Sequence, residues 1–483
     1  MQPLEHASPL VAITLFGWIP FVLTLFALLP SRKAVVTAFL AAWLFLPVYG
    51  YEIKFFPEYT KISATCMGVF CATLIFDPER FLRFRPKWID VPVTVYMMAP
   101  FVSSMTNGLG PYDGLSESFA RVVGWGLPYF IGRMYFNDAR SMRMLVFGVV
   151  VGGLIYVPLC WYEIRFSPQL HRLVYGFHQH SFVQTYRFGG WRPTVFLNHG
   201  LMVGMWMATA SLCAFWLWQS RAVTRIWGIP MAVCVAVLIV TTVFCKSAAA
   251  IFLMIVGCGA LLLIRWSRTS LPVLGLAAVS VIYIVLRASG AWDAQLLVDV
   301  ADKTVGAERA GSLETRFFHE TKLMERARER ILFGWGGWGR SRIQDDSGED
   351  VSITDSAWVI QFGVTGLLGL SALLALLLLP PLFLRTRIPP ALWAHPAGCG
   401  AAVAAVIVCL WMLDNCMNAM MNPIYIVTTG GLSGIERLSL ETIGHRARPM
   451  QPARESAPWT GAAAVRMAQR RMAAKRPARE SDS

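Results

Sequence analysis

Apolar runs long enough to cross a bilayer recur along almost the whole of this chain, and short polar or basic gaps separate them. A helix needs about 20 mostly apolar residues to span the hydrocarbon core. The predicted runs are 9–29, 34–50, 61–77, 91–106, 117–135, 142–162, 194–217, 226–244, 247–264, 271–286, 355–383, 398–415 and 419–436. They predict an all-α, polytopic integral membrane protein with about 12–13 transmembrane helices and one large loop outside the membrane.

The composition argues against other classes of protein. Of the 483 residues, 55% are hydrophobic and 15% are charged, whereas ordinary globular domains carry about 25% charged residues, so a soluble enzyme is disfavoured. Outer-membrane barrels are excluded because their strands alternate in segments of about 10 residues. The ten cysteines lie in or beside apolar runs and form no CxxC pair, so they indicate core packing and not a disulfide framework or a metal site.

The distribution of charge predicts the orientation of the chain. It carries 43 basic and 29 acidic side chains, a net charge of +14. The excess lies in alternate short gaps and in the tail, as the positive-inside rule requires of the cytoplasmic side, and it does not indicate nucleic-acid binding. The predicted parts are N-terminal transmembrane helices in 1–286, which include an outer loop at 163–193, a large outer loop at 287–354, C-terminal transmembrane helices in 355–436 and a disordered basic cytoplasmic tail at 437–483.

The outer loop at 163–193 departs from this charge pattern. It holds four arginines and three histidines, namely Arg165, Arg172, Arg187, Arg192, His171, His178 and His180. Long loops cross the membrane whatever their charge, but four arginines in one such loop favour the binding of an anion. The histidine spacing fits no closed structural zinc site, so we expect no metal.

The large outer loop contains an amphipathic pattern followed by a glycine-rich stretch. The apolar face is Leu313, Phe317, Met324, Ala327 and Ile331, and the opposite face carries Glu320, Arg326, Arg328 and Glu329. This spacing predicts a helix. The stretch 334–340, which includes Trp338 and Arg340, predicts a turn whose backbone closely approaches another group. It lacks the Lys-Ser/Thr ending of a phosphate-binding loop, so a nucleotide site is disfavoured.

Arginine and aromatic residues therefore recur together on the predicted outer surface. Guanidinium groups match phosphate oxygens with two parallel hydrogen bonds, and aromatic faces stack on sugar rings. An enzyme with a lipid-pyrophosphate sugar donor needs both, because the pyrophosphate departs once its charge is neutralised. Such an enzyme also needs a carboxylate or an imidazole to take the proton of the attacking sugar hydroxyl.

Four motifs occur in the order found in the O-antigen ligase and polysaccharide polymerase superfamily. The string YRFGGWRPTVFLNHG at 186–200 resembles the arginine motif that opens a middle helix in that family, and FCKS at 244–247 resembles its basic-Ser motif. Arg316, with the amphipathic helix and the glycine-rich turn after it, looks like the family's large periplasmic loop. The string DSAWVI at 355–360 resembles the start of the helix after that loop.

The resemblance implies a metal-independent membrane glycosyltransferase, without a cofactor, at the periplasmic face of the inner (cytoplasmic) membrane of a Gram-negative bacterium. Its substrate would be a glycan on undecaprenyl pyrophosphate, polymerised into exopolysaccharide or O-antigen. Ligases of the family transfer that glycan to lipid A core and usually show a His where Asp355 stands, so the polymerase is favoured. The arginine motif also takes an Arg-Pro-x-x-Phe form followed by His199. Expected partners are membrane lipids, a flippase and a chain-length regulator.

The predicted catalytic residues are Arg192, Arg316, Asp355 and His199, and the predicted substrate-binding residues are Arg187, Lys246, Trp338 and Arg340. Arg192 and Arg316 would converge from two loops on the donor pyrophosphate, and Asp355 would act as the acceptor base or orient the acceptor. Each assignment has a structural alternative. His199 could be a core residue of its helix. The Lys246 side chain could extend to the lipid headgroups, and Asp355 could be the N-cap of the helix that follows it.

Two further functions stay open at this point. A transporter or flippase for the same lipid-linked glycan predicts internal repeats, broken helices and ionisable residues near mid-membrane. The sequence shows no repeat, and Asp414 is the clearest charge inside a predicted span. A non-catalytic membrane scaffold would not need clustered arginines on its outer face.

Overall fold

The computed structural model describes residues 8–54, 56–187, 189–337, 339–345, 347, 350–353 and 355–438. The predicted tail beyond Leu438 and the predicted substrate-binding residue Trp338 lie outside the described residues. The described part is almost entirely helical, and its strands form three short antiparallel hairpins. The prediction of an all-α protein is therefore confirmed.

Nineteen α-helices follow one another along the described chain. They are α1 Pro9–Phe16, α2 Trp18–Leu28, α3 Ser31–Phe45, α4 Lys61–Phe76, α5 Pro78–Leu82, α6 Val91–Thr106, α7 Pro111–Arg121, α8 Leu127–Tyr135, α9 Ala139–Phe166, α10 Leu170–Tyr175, α11 Gly200–Gln219, α12 Met231–Phe244, α13 Ala248–Ser267, α14 Leu271–Ser289, α15 Gln295–Val305, α16 Ala307–Arg328, α17 Ala357–Arg387, α18 Cys399–Asp414 and α19 Pro423–Gly434. The hairpins are β1 Gly50–Ile53 with β2 Phe56–Thr60, β3 Tyr186–Arg187 with β4 Gly190–Trp191, and β5 Arg225–Ile226 with β6 Ile229–Pro230.

Every predicted apolar run forms a helix or a pair of helices. Five helices of the described chain are long and apolar enough to cross a membrane, namely α9, α11, α13, α14 and α17, and α1 with α2 makes a sixth span if that pair, bent by 41°, counts as one. The other runs form shorter or interrupted helices. The run 117–135, for example, divides into α7, a π-helical turn at Val122–Gly126 and α8. The structure thus shows a helical protein with candidate membrane spans.

The core lies around α18 and α11, whose side chains are nearly all buried. Mainly small residues make up the N-terminal part of α18, from Cys399 to Ala405, so the neighbouring helices approach it closely there. In contrast, α13 and α14 expose large apolar side chains such as Phe252, Ile255 and Ile282. A continuous apolar surface of this kind suits contact with lipid.

The glycine-rich turn inserts into a break in α17. Gly366, with φ 62° and ψ −158°, interrupts that helix, and the turn supplies the missing hydrogen-bond partners. The Trp335 amide donates to the Gly363 carbonyl at 2.9 Å, and the Leu367 amide donates to the Ile331 carbonyl at 2.8 Å. A Cβ on Gly334 would lie 2.5 Å from the Val364 carbonyl carbon, so no larger residue fits there. The expected close backbone approach is therefore confirmed.

The amphipathic helix forms as α16, with two corrections, one to its end and one to its charged face. Phe317, Met324 and Ala327 are buried as predicted. Ile331, however, lies beyond the end of the helix, in the inserted turn. Glu320, which the sequence places on the charged face, is buried and lies 2.6 Å from the Arg287 guanidinium of α14. A buried carboxylate needs such a partner, and the pattern of a single helix does not reveal one that comes from another helix.

Candidate functional site

A cavity of about 480 Å³ opens where four segments meet. These segments are the chain from His180 to the start of α11, the N-terminal half of α16, the residues before α17 and the loop between α18 and α19. Five of the eight predicted site residues line it: Arg187, Arg192, His199, Arg316 and Asp355. With His180 also in the lining, the cavity places three guanidinium groups around one carboxylate and two imidazoles, a surface with excess positive charge.

Arg192 is held rigidly at the cavity wall. Its amide donates to the Thr185 carbonyl at 2.7 Å across the β3–β4 hairpin, and its Nη2 donates to the Lys246 carbonyl at 3.0 Å. The residue is 5% exposed. Gly200, the first residue of α11, makes this position possible, because a Cβ there would lie 2.1 Å from the Arg192 Cδ. The guanidinium is thus fixed before any ligand arrives, which favours electrostatic catalysis.

Glu163, at the end of α9, fixes the turn that follows Arg192, and the sequence analysis missed it. Its carboxylate accepts the amide hydrogens of Thr194 at 2.8 Å, Val195 at 2.7 Å and Leu170 at 2.9 Å. These bonds hold Val195 at φ 49°, a conformation that costs a branched residue energy. Glu163 is a positioning residue. The signal in the sequence that could have revealed Glu163 was an acidic residue directly after an apolar run.

Lys61, at the first turn of α4, holds the same turn from the opposite side. Its buried ammonium donates to the carbonyls of Phe196 at 3.1 Å, Trp43 at 3.1 Å and Leu46 at 3.3 Å. The Gln179 side chain adds a bond of 3.2 Å to the Val195 carbonyl. The arginine motif is therefore a backbone turn held by charged side chains from two helices, and not a mobile loop end.

Arg316 and Asp355 form an ion pair at the mouth of the cavity. Arg316 Nε lies 3.1 Å from Asp355 Oδ2, and the two side chains are 32% and 40% exposed. The alternative assignment of Asp355 as a helix cap is wrong, because Ser356 holds the N-cap position of α17. An exposed pair of this kind contributes little to stability, so both groups remain available to a ligand.

A buried network holds this ion pair in place. The Glu320 carboxylate lies 2.6 Å from Arg287 Nε and accepts a hydrogen bond of 3.2 Å from the Ser356 hydroxyl. It joins α14, α16 and the start of α17 at one point. Arg316 lies one helical turn before Glu320, and Asp355 lies next to Ser356. The network therefore fixes the distance between the two exposed partners.

His199 caps α11 and is electrically neutral. Its Nδ1 accepts the Leu201 amide hydrogen at 3.0 Å, so the ring proton sits on Nε2, which can donate to a ligand oxygen. Burial, with His180, Arg192 and Arg316 close by, lowers the pKa of His199 to about 3. With Nδ1 bonded to the backbone and the proton on Nε2, the ring has no free lone pair with which to act as a general base. The geometry therefore gives His199 the role of cap and hydrogen-bond donor, and Asp355, the carboxylate in the lining, is the candidate base.

We expect the neutral state of His199 to make the protein less stable in acid. The unfolded residue has a pKa of about 6.5, and the folded one has a pKa of about 3. Between these values the unfolded chain binds the proton, so stability is complete above about pH 6.5 and falls as the pH drops. The loss at about pH 5 is at most about 2 kcal/mol. His199→Asn, which keeps a capping acceptor, should show a smaller drop in melting temperature between about pH 7.5 and pH 5. An unchanged drop would contradict this assignment.

His171 has a structural role. Its Nε2 accepts the Val48 amide hydrogen at 3.1 Å, and its Nδ1 lies 2.9 Å from the Phe177 carbonyl. Both ring nitrogens are therefore engaged with the backbone, and burial lowers the pKa of His171 to about 4. Among the residues that the structure describes, no group of three potential ligands is placed to hold a metal ion.

The structure places two predicted substrate-binding residues outside the cavity lining. Lys246, at φ 51°, contributes its carbonyl to Arg192, and its ammonium lies against β4, where a Cβ on Gly190 would be 2.2 Å from Nζ. Arg340 belongs to the glycine-rich turn and donates from Nε to the Trp335 carbonyl at 3.2 Å. Lys246 thus holds the Arg192 guanidinium through its carbonyl, and Arg340 stabilises the glycine-rich turn.

Several polar lining residues were not predicted as site residues, namely His180, Gln184, Ser312, Thr315 and Asn418. Asn418 comes from the loop between α18 and α19, whose carbonyls at Asn415 and Asn418 accept the Ala357 amide hydrogen at 3.1 and 3.2 Å. The loop therefore caps α17 and lines the cavity at once. Three asparagines in the gap 415–422 were the signal in the sequence.

The assembled cavity suits an anionic ligand with a sugar attached. Guanidinium groups bind phosphate oxygens, Asp355 can accept a proton, and the amide and hydroxyl side chains can bind sugar hydroxyls. No protein-family model matches the chain, and no curated protein does either. The functional argument consequently rests on the chemistry of these residues.

Proposed function

We propose that this chain is an inner-membrane glycosyltransferase of the polysaccharide polymerase type, acting at the periplasmic face. It joins oligosaccharide repeats carried on undecaprenyl pyrophosphate into exopolysaccharide or O-antigen. The observation that supports this proposal is the convergence of Arg187, Arg192 and Arg316 on one cavity with Asp355 at its mouth. The arginines come from sequence segments more than 100 residues apart, as a site built for one multiply charged ligand requires.

The arginines serve the donor. Charge builds up on the pyrophosphate as the bond from the anomeric carbon to its oxygen breaks, and the pyrophosphate leaves with the bonding electron pair. Hydrogen bonds from fixed guanidinium groups become stronger as this charge develops. They therefore stabilise the transition state more than the bound donor, and this lowers the barrier to the reaction. Arg192 suits this role because its own hydrogen bonds fix it in advance.

Asp355 serves the acceptor, and donor binding makes it available. In the structure its carboxylate is paired with Arg316 at 3.1 Å. A pyrophosphate competes for Arg316 with more negative charge, so its arrival releases Asp355. The freed carboxylate takes the proton of the acceptor hydroxyl while that oxygen attacks the anomeric carbon. The exchange would couple the activation of the acceptor to the presence of the donor.

The polymerase fits better than the ligase for two reasons. A carboxylate stands where ligases of the resembled family usually show a His, and His199, one of two histidines on the cavity wall, has Nδ1 occupied by the α11 backbone. In this proposal all thirteen apolar runs lie in the membrane, and a flippase and a chain-length regulator act beside the polymerase.

One observation favours a transporter of lipid-linked glycans as a second candidate. Transporters use broken helices, and α17 is broken at Gly366. However, the backbone amides and carbonyls that the break frees are hydrogen-bonded to residues 331–336, the segment that leads into the glycine-rich turn and begins it. The break therefore anchors a loop of the chain itself, and the backbone groups that a substrate or ion would use are already occupied.

Reconstitution of the purified protein in liposomes with purified lipid-linked repeats tests the proposal. We expect a ladder of longer glycans, each still on the lipid pyrophosphate, without added metal or nucleotide. Movement of unextended repeats across the bilayer would identify a transporter instead. Transfer of the glycan that requires lipid A core as the acceptor would identify a ligase. An empty-liposome control and a preparation with inactivated protein exclude spontaneous transfer.

A further inference from the structure

A second cavity, of about 620 Å³, lies among basic side chains away from the candidate site. Arg80, Arg83, Arg85 and Lys87, from α5 and the chain after it, form one side. Arg133 from α8 and Gly434 at the end of α19 form another. The lining contains five basic and three acidic residues. None of these residues has a part in the proposed transfer reaction.

The two cavities lie at opposite ends of the same two helices. Lys61 begins α4 beside the arginine turn, whereas Asp77, just after the end of α4, lines the second cavity. Likewise Met420, just before α19, lines the first cavity, and Gly434, its last residue, lines the second. A helix of 16 residues such as α4 is about 24 Å long. The second cavity is therefore at the end predicted to face the cytoplasm.

Arg133 gives this cavity an unmet hydrogen-bonding requirement. The residue is 6% exposed, and its Nε donates to Asp90 Oδ1 at 3.1 Å. Its Nη2 is buried and, among the described residues, has no hydrogen-bond partner. A Cβ on Gly434 would lie 2.9 Å from Nη1, so the glycine leaves room for the guanidinium. A buried donor without an acceptor costs about 1–3 kcal/mol, and a bound anion would supply one.

The other basic residues divide into paired and available ones. Arg80 lies 2.9 Å from Asp77 Oδ2, and Arg83 lies 2.8 Å from Glu79 Oε2. Within the described chain, Arg85 and Lys87 take part in no such ion pair, and both are exposed. The internal carboxylates therefore leave positive charge at Arg85 and Lys87, whereas Arg133 is paired with Asp90 and contributes its unpartnered Nη2 donor.

We propose that the second cavity binds a phosphate group, presented by the headgroup of an anionic lipid or by a free phosphate anion. Guanidinium and ammonium groups are the partners that phosphate oxygens take. The helix that carries part of the lining favours the lipid source, because Phe81 and Leu82 of α5 are exposed at 43% and 71% and would lie against acyl chains. The C-terminal tail does not complement the charge of this cavity, because the tail is itself basic. Nine basic residues and one acidic residue lie between 446 and 479.

Binding to the full-length protein in neutral detergent tests this proposal. Short-chain phosphatidylglycerol and inorganic phosphate are the two probes, titrated separately. The test variant is Arg85→Gln with Lys87→Gln, both exposed residues whose replacement should not disturb folding. The matched control is Arg225→Gln with Arg385→Gln, which removes two exposed basic residues from other short gaps. We expect the test variant to bind at least about tenfold more weakly, and the control to bind like the wild type.

The outcomes separate the two sources. Phosphatidylglycerol binding that the test variant loses, without phosphate binding, assigns the cavity to a lipid headgroup, and variant-sensitive phosphate binding assigns it to a free anion. No binding of either probe overturns the proposal, as does equal binding by test variant and wild type or equal weakening in the control. Arg133→Lys, with its melting temperature checked, keeps the charge and removes Nη2, and weaker binding there would support the unmet donor as part of the site.

Discussion

Arg192→Lys should lower the rate of polymerisation in liposomes by about 10²–10³-fold at an unchanged protein level, because removal of one fixed donor to a developing oxyanion typically has this effect. Lysine keeps the charge but loses the planar pair of donors. The stem that packs under Gly200 is retained, because lysine also has Cγ and Cδ, so the variant tests the guanidinium itself. The measurement is the amount of high-molecular-weight glycan formed per unit time from purified lipid-linked repeats.

Arg172→Lys is the matched control for this prediction. Arg172 belongs to the same loop and carries the same charge, but it is exposed and does not line the cavity. Its replacement should leave the rate within about twofold of the wild type. Near-normal polymerisation by Arg192→Lys and by Arg192→Ala would exclude the proposed contact with pyrophosphate, and the transporter would then become the better hypothesis.

The sequence predicted the helices because their cause is local. A run of about 20 apolar residues can satisfy its backbone in lipid only as a helix, and each of the thirteen runs contains one. The number of complete spans is harder to predict. Where Gly124 and Gly126 interrupt the run 117–135, a π-helical turn divides the helix, and the apolar count alone does not show this division.

The predicted site residues share one property, which is an unusual position for a charge. Arg192 and Arg316 lie on the predicted outer side, where basic residues are rare, so their pattern was visible in the sequence. Glu163 and Lys61 were missed because their partners are backbone groups 31 and 135 residues away. Glu320 was placed on the wrong face for the same reason, since Arg287 comes from another helix. Long-range pairs of this kind determine the site and leave little periodic signal.

The second large effect should come from Asp355→Asn, which we expect to lower polymerisation by about 10²–10⁴-fold if this carboxylate is the acceptor base. Asparagine keeps the shape and can still accept a hydrogen bond from Arg316, but it cannot take a proton. The matched control is Asp350→Asn, since Asp350 lies in the same loop and is paired with Arg342 away from the cavity. That control should retain nearly full activity.

The exchange of both charges distinguishes a catalytic carboxylate from a merely structural ion pair. Arg316→Asp combined with Asp355→Arg restores an ion pair between α16 and the start of α17, so a structural role predicts recovered activity. A catalytic role predicts that the double variant stays as inactive as Asp355→Asn, because the proton acceptor and the phosphate ligand have changed places. Melting temperatures of all variants should stay within a few degrees of the wild type, since an ion pair exposed to this extent contributes about 0–1 kcal/mol. Recovered polymerisation in the exchanged variant would refute the assignment of Asp355 as the base.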